Sequence, residues 1–342
     1  MHIGGLIRLL ILFSGIFECF FKSVSAEQFK ITKIRIINEI AYYFAEDVDG
    51  VIVGRRFEPY SGEITIPESV NIDEYQYDVL GILDDAFCCS PNLESIDIKC
   101  PIRSIHREQF YKCFNLRTVK LPQSIKFIGS YAFMHCYKLS DIQIPEETKR
   151  IYTNAFSFCY QLQNINLPSG LTYLGNNAFE KCYSLKEIYI PEGIEEIEKE
   201  SFLDCVSLEK VILGDRIKII GEKAFFNCRC LNSPILPYCL KRIDDKAFQN
   251  CFCIKKLIFN PNLKFIGWDA FSDCCHLEKL CFLGEAPPRM GTDVFYYRKS
   301  PNKRIINVIT PDGTEQKYKR ALRWKMHDSV FSVKGFEDAN QQ

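Results

Sequence analysis

The hydrophobic positions of this chain repeat with one fixed period. A phenylalanine recurs every 23 residues across Phe87–Phe271, and one more, Phe295, follows after 24. An apolar residue lies six positions after each phenylalanine, and in most repeats two more lie nine and eleven positions after it, as in residues 156–167. Uninterrupted self-similarity of this length is the signature of a solenoid, in which each repeat packs on its neighbours.

The spacing within one repeat predicts its local structure. Polar and apolar residues alternate in Ser140–Ile144, which is typical of a strand with one face in the core. One strand per repeat must pair in parallel with the next. Phe156, Cys159 and Leu162 lie three apart, which predicts a turn of α-helix or 3₁₀-helix. We therefore expect a mostly β fold: a curved right-handed superhelix with a parallel sheet on its concave face and short helical or 3₁₀ turns on its convex face.

The N-terminal segment has the pattern of a targeting sequence. Arg8 precedes the apolar run Leu9–Phe13, and Val24–Ala26 supplies the small residues of a cleavage site. This pattern predicts that residues 1–26 are a signal peptide that is removed. An uncleaved membrane anchor is the alternative, although Glu18 interrupts the apolar stretch.

The remaining segments follow from where the repeat begins and ends. A stacked array leaves an open apolar end that capping units must close. Alternation over Lys30–Ile36 predicts a strand of such a cap, and Arg304–Ile309 and Lys317–Trp324 predict a strand and a helix at the other end. The predicted boundaries are 27–80 for an N-terminal β cap, 81–283 for nine 23-residue repeats, 284–336 for a C-terminal cap and 337–342 for a polar tail.

The repeat resembles a known family. The pattern L-x-x-I-x-I-P-x-x-I-x-x-I-G-x-x-A-F-x-x-C of the BspA-like leucine-rich repeats is nearly intact in Leu116–Cys136 and Leu162–Cys182. The flanks Ile64–Pro67 and Ile309–Thr314 are also similar to those of the family, so the resemblance covers roughly residues 60–325. It implies a leucine-rich-repeat solenoid that is exported to a bacterial or protist surface and adheres to host matrix or cells, without catalytic residues. Many members carry an anchor, and none is visible here.

Two side-chain columns are predicted to build the core. The cysteine three positions after each phenylalanine is replaced by Ser90 in the first repeat, which favours a packing ladder of small weak donors over a disulfide stack or metal row. The phenylalanine column is Phe87, Phe110, Phe133, Phe156, Phe179, Phe202, Phe225, Phe248 and Phe271. The cysteine column is Cys113, Cys136, Cys159, Cys182, Cys205, Cys228, Cys251 and Cys274.

The remaining cysteines raise the question of redox state. Cys230 and Cys253 lie one repeat apart and are the best candidates for a disulfide. Each is also part of a C-x-C pair, with Cys228 and Cys251, which leaves zinc as an alternative. One cysteine of each pair belongs to the core column, however. So many thiols suit a reducing, low-oxygen habitat better than an oxidising exterior.

The outward residues of the concave face change along the array. The column ten positions after the phenylalanine is polar in the first half and apolar in the second. Contiguous exposed apolar surface indicates a binding site. The alternatives are that isoleucine simply suits a strand, or that the C-terminal cap covers it. The predicted partner-binding stripe is Tyr189, Ile212, Ile235 and Ile258, with Lys210, Lys256 and Lys279 flanking it.

Charge and motifs narrow the function. The 43 basic and 43 acidic residues balance, so nothing predicts the basic surface that a nucleic-acid binder needs. The five histidines form no H-E-x-x-H, and neither G-x-S-x-G nor a P-loop occurs. We therefore expect no enzyme, cofactor or metal, and no membrane span after cleavage. The predicted function is that of a secreted or surface-associated, adhesin-like protein that binds another macromolecule. A self-associating structural protein is the alternative, and an exported hydrolase comes last.

Overall fold

A computed structural model describes residues 30–46, 48–297, 305–321 and 330–336. The predicted signal peptide, the polar tail and the end of the predicted helix at Trp324 lie outside these residues. The described chain is a parallel β-solenoid, which confirms the predicted fold class. Among the described residues, no helix is long and apolar enough to cross a membrane.

The N-terminal strands form an antiparallel-rich sheet beside the first repeats. The sheet has five strands in the order β1-β2-β3-β6-β5. The strand β4 leaves this sheet and pairs in parallel with the first repeat strand, β7, so it starts the main sheet of the array. The strands are β1 (Ile31–Ile37), β2 (Ile40–Ala45), β3 (Val51–Gly54), β4 (Ser61–Ile66), β5 (Ser69–Ile72) and β6 (Tyr75–Ile82).

Most repeats contribute one strand to a main sheet and a two-residue strand to a second sheet. In chain order these strands are β7 (Asn92–Ile98), β8 (Ser104–Ile105), β9 (Thr118–Lys120), β10 (Phe127–Ile128), β11 (Asp141–Ile142), β12 (Arg150–Ile151), β13 (Tyr173–Leu174), β14 (Glu187–Ile190), β15 (Glu196–Ile197), β16 (Lys210–Leu213), β17 (Ile219–Ile220), β18 (Arg242–Ile243), β19 (Lys256–Phe259), β20 (Phe265–Ile266), β21 (Lys279–Phe282) and β22 (Arg289–Met290).

Both sheets keep the register of the sequence repeat. In the main sheet, Tyr189 lies opposite Ile212, and in the second sheet Ile219 lies opposite Arg242. The second sheet runs as β8-β10-β12-β13 and as β15-β17-β18-β20-β22. The sequence predicted only one sheet. The return segment between strands therefore carries backbone pairing as well as apolar side chains.

The main sheet is interrupted at two repeats, where β11 and β14, and then β16 and β19, do not pair across the intervening chain. At the second interruption, Pro234 occupies the buried position nine residues after Phe225. Proline has no N–H to donate to a strand ladder, so pairing stops there. At the first, Asn164 and Asn166 flank the buried Ile165, and asparagine is disfavoured in strands.

The predicted helical turn takes the form of separate turns. In one repeat, the N–H groups of Met134 and Cys136 donate to the carbonyls of Tyr131 and Phe133, at 3.2 and 3.1 Å, which is the 3₁₀ pattern. Tyr131, which begins the first of these turns, and His135, within the second, have left-handed φ angles of 61° and 65°. These residues break the helix and turn alternate N–H groups toward the next repeat. The Phe133 N–H, for example, donates to the Ala155 carbonyl at 2.8 Å.

The core consists of the two predicted columns. Successive phenylalanine rings stack with centroids 5.1 to 5.7 Å apart and planes within 13°. Each column thiol donates to a phenylalanine carbonyl of the preceding repeat at 3.1 to 3.3 Å, as Cys136 does to Phe110. Burial raises the pKa of Cys136, so its thiol stays protonated. In the first repeat Ser90 instead accepts from the Tyr60 N–H.

The C-terminal elements extend the main sheet. The strand β23 (Ile305–Thr310) pairs in parallel with β21, and β24 (Val330–Gly335) pairs in parallel with β23. The helix α1 (Glu315–Arg320) lies between them in the chain. Its buried Tyr318 donates its hydroxyl to the Gly284 carbonyl at 2.8 Å, which ties the helix to the end of the repeats.

Candidate partner-binding face

The main sheet presents a row of apolar side chains to solvent. We call Tyr189, Ile212, Ile235 and Ile258 the apolar stripe; their exposed fractions are 47%, 44%, 87% and 44%. Each lies between two strand positions whose side chains are buried, as Ile188 and Ile190 are on β14. On β14, β16 and β19 the pleat of the strand therefore directs Tyr189, Ile212 and Ile258 outward, and Ile235 holds the same position between the buried Pro234 and Leu236.

The most exposed member of the stripe lies where the sheet is interrupted. Ile235 follows Pro234, which withholds its N–H from the ladder between β16 and β19. The neighbouring strands continue the row on both sides, with Tyr189 opposite Ile212 and Ile258 opposite Cys281. Burying a side chain of this size against a partner is worth about 1.5–3 kcal/mol.

The stripe ends toward the C-terminus. Cys281 on β21 is half-buried, and Ile309, its partner in register on β23, is only 9% exposed. The C-terminal segment thus closes one end of the row, while the four stripe residues stay accessible.

Lysines lie along one side of the stripe. Lys210 and Lys256 are exposed and Lys279 is half-buried, and among the described residues none of the three forms a salt bridge. Lys256 lies directly opposite Lys279 in the register of β19 and β21. Like charges at neighbouring positions of a sheet repel each other. This side of the stripe therefore carries two adjacent positive charges at Lys256 and Lys279, whereas Lys210 lies opposite Glu187 in the register of β14 and β16.

The first half of the same face is polar. The positions that correspond to the stripe are the half-buried Asp97 and the exposed Lys120, Gln143 and Asn166. Asp97 lies on β7, Lys120 lies on β9 and Gln143 directly follows β11, and these three strands pair in the same parallel register as those of the second half. The change along the face is therefore one of side chains on a common backbone.

The other residues singled out by the sequence lie elsewhere. The phenylalanine and cysteine columns are buried. Cys230 is exposed and Cys253 half-buried, and both are free thiols in this structure, so the predicted disulfide is not formed in it and stays a prediction. Burial and the neighbouring Cys253 raise the pKa of Cys230. Among the described residues, no group of three or more potential ligands converges on a metal site.

One exposed aromatic residue near the stripe was missed. Tyr238 lies three residues after Ile235 and is 64% exposed. Its signal in the sequence was an aromatic residue directly after Pro237, where the equivalent prolines of other repeats are followed by Gln123, Glu146, Ser169 and Glu192. It enlarges the apolar surface that this repeat presents.

Comparisons with known proteins agree with the repeat pattern. The family model described as BspA type leucine rich repeat region (6 copies) matches residues 81–208 and 174–302. No curated protein matches the chain.

Solved structures of leucine-rich-repeat proteins from bacteria have a similar fold. A leucine-rich repeat protein from Bacteroides ovatus is 21% identical with a TM-score of 0.52, over 88% of this chain and 99% of that one. A leucine rich cell surface protein from Faecalibacterium prausnitzii is 20% identical with a TM-score of 0.49, over 90% of this chain and 97% of that one. At these identities the likeness concerns the fold.

Proposed function

This chain belongs to the BspA-type leucine-rich-repeat family, and on that premise we propose that it binds a protein partner through the apolar stripe. We propose further that it does so outside the cell or at its surface, in an adhesin-like role. The export part of the proposal is supported by the targeting pattern of residues 1–26 and by the family resemblance.

The observation that carries the proposal is the exposure of four apolar side chains on consecutive repeats. At about 4.8 Å between strands, the stripe from Tyr189 to Ile258 is roughly 14 Å long. Single exposed apolar residues are normal on protein surfaces, but a contiguous row marks an interaction site. The row is absent from the matching positions between Asp97 and Asn166, which carry polar side chains.

The charge beside the stripe favours one kind of partner. Lys256 and Lys279 repel each other in the free protein. A partner with carboxylates next to an apolar ridge would relieve that repulsion while it covers the stripe. We therefore propose a protein surface that has exposed apolar side chains bordered by aspartate or glutamate.

The scaffold suits such binding because it is already ordered. Stacked rings, thiol-to-carbonyl bonds and backbone hydrogen bonds hold each repeat to the next. A rigid surface loses little conformational entropy on association, so more of the contact energy becomes affinity. Tyr189 and the prominent Ile235 are the expected anchors.

The test compares three forms of the protein in binding to solubilised surface proteins of host epithelial cells. The forms are the unaltered chain, a stripe variant (Ile212→Ser, Ile235→Ser, Ile258→Ser) and a matched variant of the polar half (Lys120→Ser, Gln143→Ser, Asn166→Ser). The proposal expects a captured protein that the stripe variant loses and the matched variant keeps, and whose complex slows hydrogen exchange on β14–β21.

Two outcomes would overturn it. A partner that all three forms retain equally would place binding elsewhere on the molecule. A dimer in sedimentation that only the stripe variant loses, with no foreign protein captured, would instead establish self-association.

A further inference from the structure

Three polar side chains form a continuous hydrogen-bond relay where the array begins. Asp84 follows β6, Ser104 begins β8, and His106 follows β8 directly. The Oδ1 atom of Asp84 lies 3.0 Å from Nδ1 of His106, and the Oγ atom of Ser104 lies 3.2 Å from Nε2 of the same ring. Both distances are within the range in which a base activates a nucleophile.

The carboxylate determines which nitrogen carries the proton. A carboxylate can only accept, so the ring hydrogen lies on Nδ1 and is donated to Asp84. The neutral ring then has a lone pair on Nε2, and the Ser104 hydroxyl must be the donor of the second bond. Burial lowers the pKa of His106, against the opposing effect of Asp84, which favours this neutral form.

The relay is not a product of the repeat. The positions one repeat later hold Arg107, Phe127 and Gly129 in place of Asp84, Ser104 and His106. The array therefore folds without such a relay in later repeats.

The surroundings hold the relay in place and leave it open. The backbone N–H of His106 donates to the buried Gln109 side-chain oxygen at 2.8 Å, which fixes the histidine backbone. Ser104 and His106 are half-buried, and β8 is the terminal strand of its sheet. Part of each of these two side chains is therefore exposed to solvent.

We propose that Ser104 is a nucleophile that accepts an acyl group from small carboxylic esters, with His106 as its base and Asp84 as a positioning residue. The Oγ atom of Ser104 bonds to the carbonyl carbon as its proton passes to Nε2 of His106. The bond to the leaving oxygen then breaks, and that oxygen takes the proton from Nε2. Water repeats the sequence on the acyl-serine, which releases the acid and restores the serine. Phe127, which pairs in register with Ser104, offers an apolar surface for the acyl group.

Sequence motifs could not reveal this arrangement. The serine and histidine are two residues apart, and the aspartate lies 20 residues before the serine. The G-x-S-x-G motif detects only a serine in one kind of local turn. A serine–histidine–aspartate relay is recognised by its geometry and not by the order of the residues in the chain.

The test is covalent labelling of the folded full chain with a fluorophosphonate, which modifies activated serines and leaves thiols alone. The Oγ–phosphorus bond forms, fluoride leaves, and the proton goes to His106. Peptide mapping should place the label on Ser104. Ser124 is an internal control, because its hydroxyl donates to the Ile102 carbonyl at 2.6 Å and not to a histidine nitrogen.

The variants separate chemistry from structure. General-base assistance contributes about 10²–10⁴-fold, so His106→Ala should slow labelling of Ser104 by at least about 100-fold. Asp84→Asn should slow it too, because an amide can donate to Nδ1 and reverse the tautomer. Thermal unfolding of each variant shows whether the fold is kept. If Ser104 in folded protein is labelled no faster than Ser124, the proposal is wrong. The relay would then be a structural contact between the N-terminal segment and the first repeat.

Discussion

The two halves of the main sheet share a backbone and a core but differ on their outer face. The ring centroids of Phe110 and Phe133 lie 5.2 Å apart in the first half, and those of Phe202 and Phe225 lie 5.2 Å apart in the second. Outside, Gln143 and Asn166 stand where the second half has Ile212 and Ile235. Because the first half folds with polar residues at these positions, folding does not require the apolar ones. This contrast is the reason to assign the stripe a role in binding.

The largest expected effect is on stability and comes from the phenylalanine column, which the two halves share. Phe133→Ala and Phe202→Ala each remove a fully buried ring from the stacked column. Each should lower the free energy of unfolding by about 3–5 kcal/mol, because a large cavity is left in a rigid core. Denaturant unfolding measures it. Similar losses in both halves are expected; a loss in one half alone would show that the two cores are not equivalent.

The second largest effect is expected from the outer face, where the two halves differ. The stripe variant (Ile212→Ser, Ile235→Ser, Ile258→Ser) should weaken binding by about 2–4 kcal/mol, since a few apolar anchors carry most interface energy. Its unfolding free energy should change far less than that of Phe202→Ala, because the three side chains face solvent. The polar-half variant is the control and should bind as the unaltered chain does. Unfolding of the stripe variant on mild heating would show that these three residues are needed for the stability of the fold.

A smaller effect is expected from the lysines. Replacing Lys210, Lys256 and Lys279 with glutamine should reduce the association rate and flatten its dependence on salt, at a cost of about 1 kcal/mol or less in affinity. Surface plasmon resonance at two salt concentrations measures both. Lys120→Gln in the polar half is the matched control. An unchanged salt dependence would mean that the partner carries no carboxylates beside its apolar ridge.

The smallest effect concerns the interruption of the sheet. Pro234→Val supplies the missing N–H at a position where the preceding repeat has Val211. One restored hydrogen bond is worth about 0.5–1.5 kcal/mol, partly offset by the greater freedom of the unfolded chain. Hydrogen exchange should show a protected amide at residue 234. Rapid exchange of the amide at residue 234 would mean that something other than proline interrupts the strand pairing.

The sequence predicted the features that follow from recurring side chains. It missed the features that depend on recurring backbone geometry. The columns of Phe156 and Cys159 follow directly from the period, and the solenoid fold and family are confirmed. The second sheet was missed because strands of two residues, such as β12, show no alternation. The left-handed turns were missed because residues such as Tyr131 and His135 hold them in place of glycine.

The sites depend on contacts that the period does not determine. The stripe could be read from the sequence because strand alternation gives the direction of each side chain. The relay at Ser104 could not, because it joins two segments on neighbouring turns of the solenoid. Its geometry becomes visible only when Asp84 and His106 are placed side by side.

Site-specific photocrosslinking compares the two halves most directly. Benzoylphenylalanine is placed at position 235 in one protein and at position 143 in another, two equivalent positions of the same column. Both proteins are irradiated with the same solubilised host-surface proteins. The account predicts an adduct with a foreign protein at position 235 and none at position 143. Equal adducts at both positions, or an adduct at 143 alone, would contradict it.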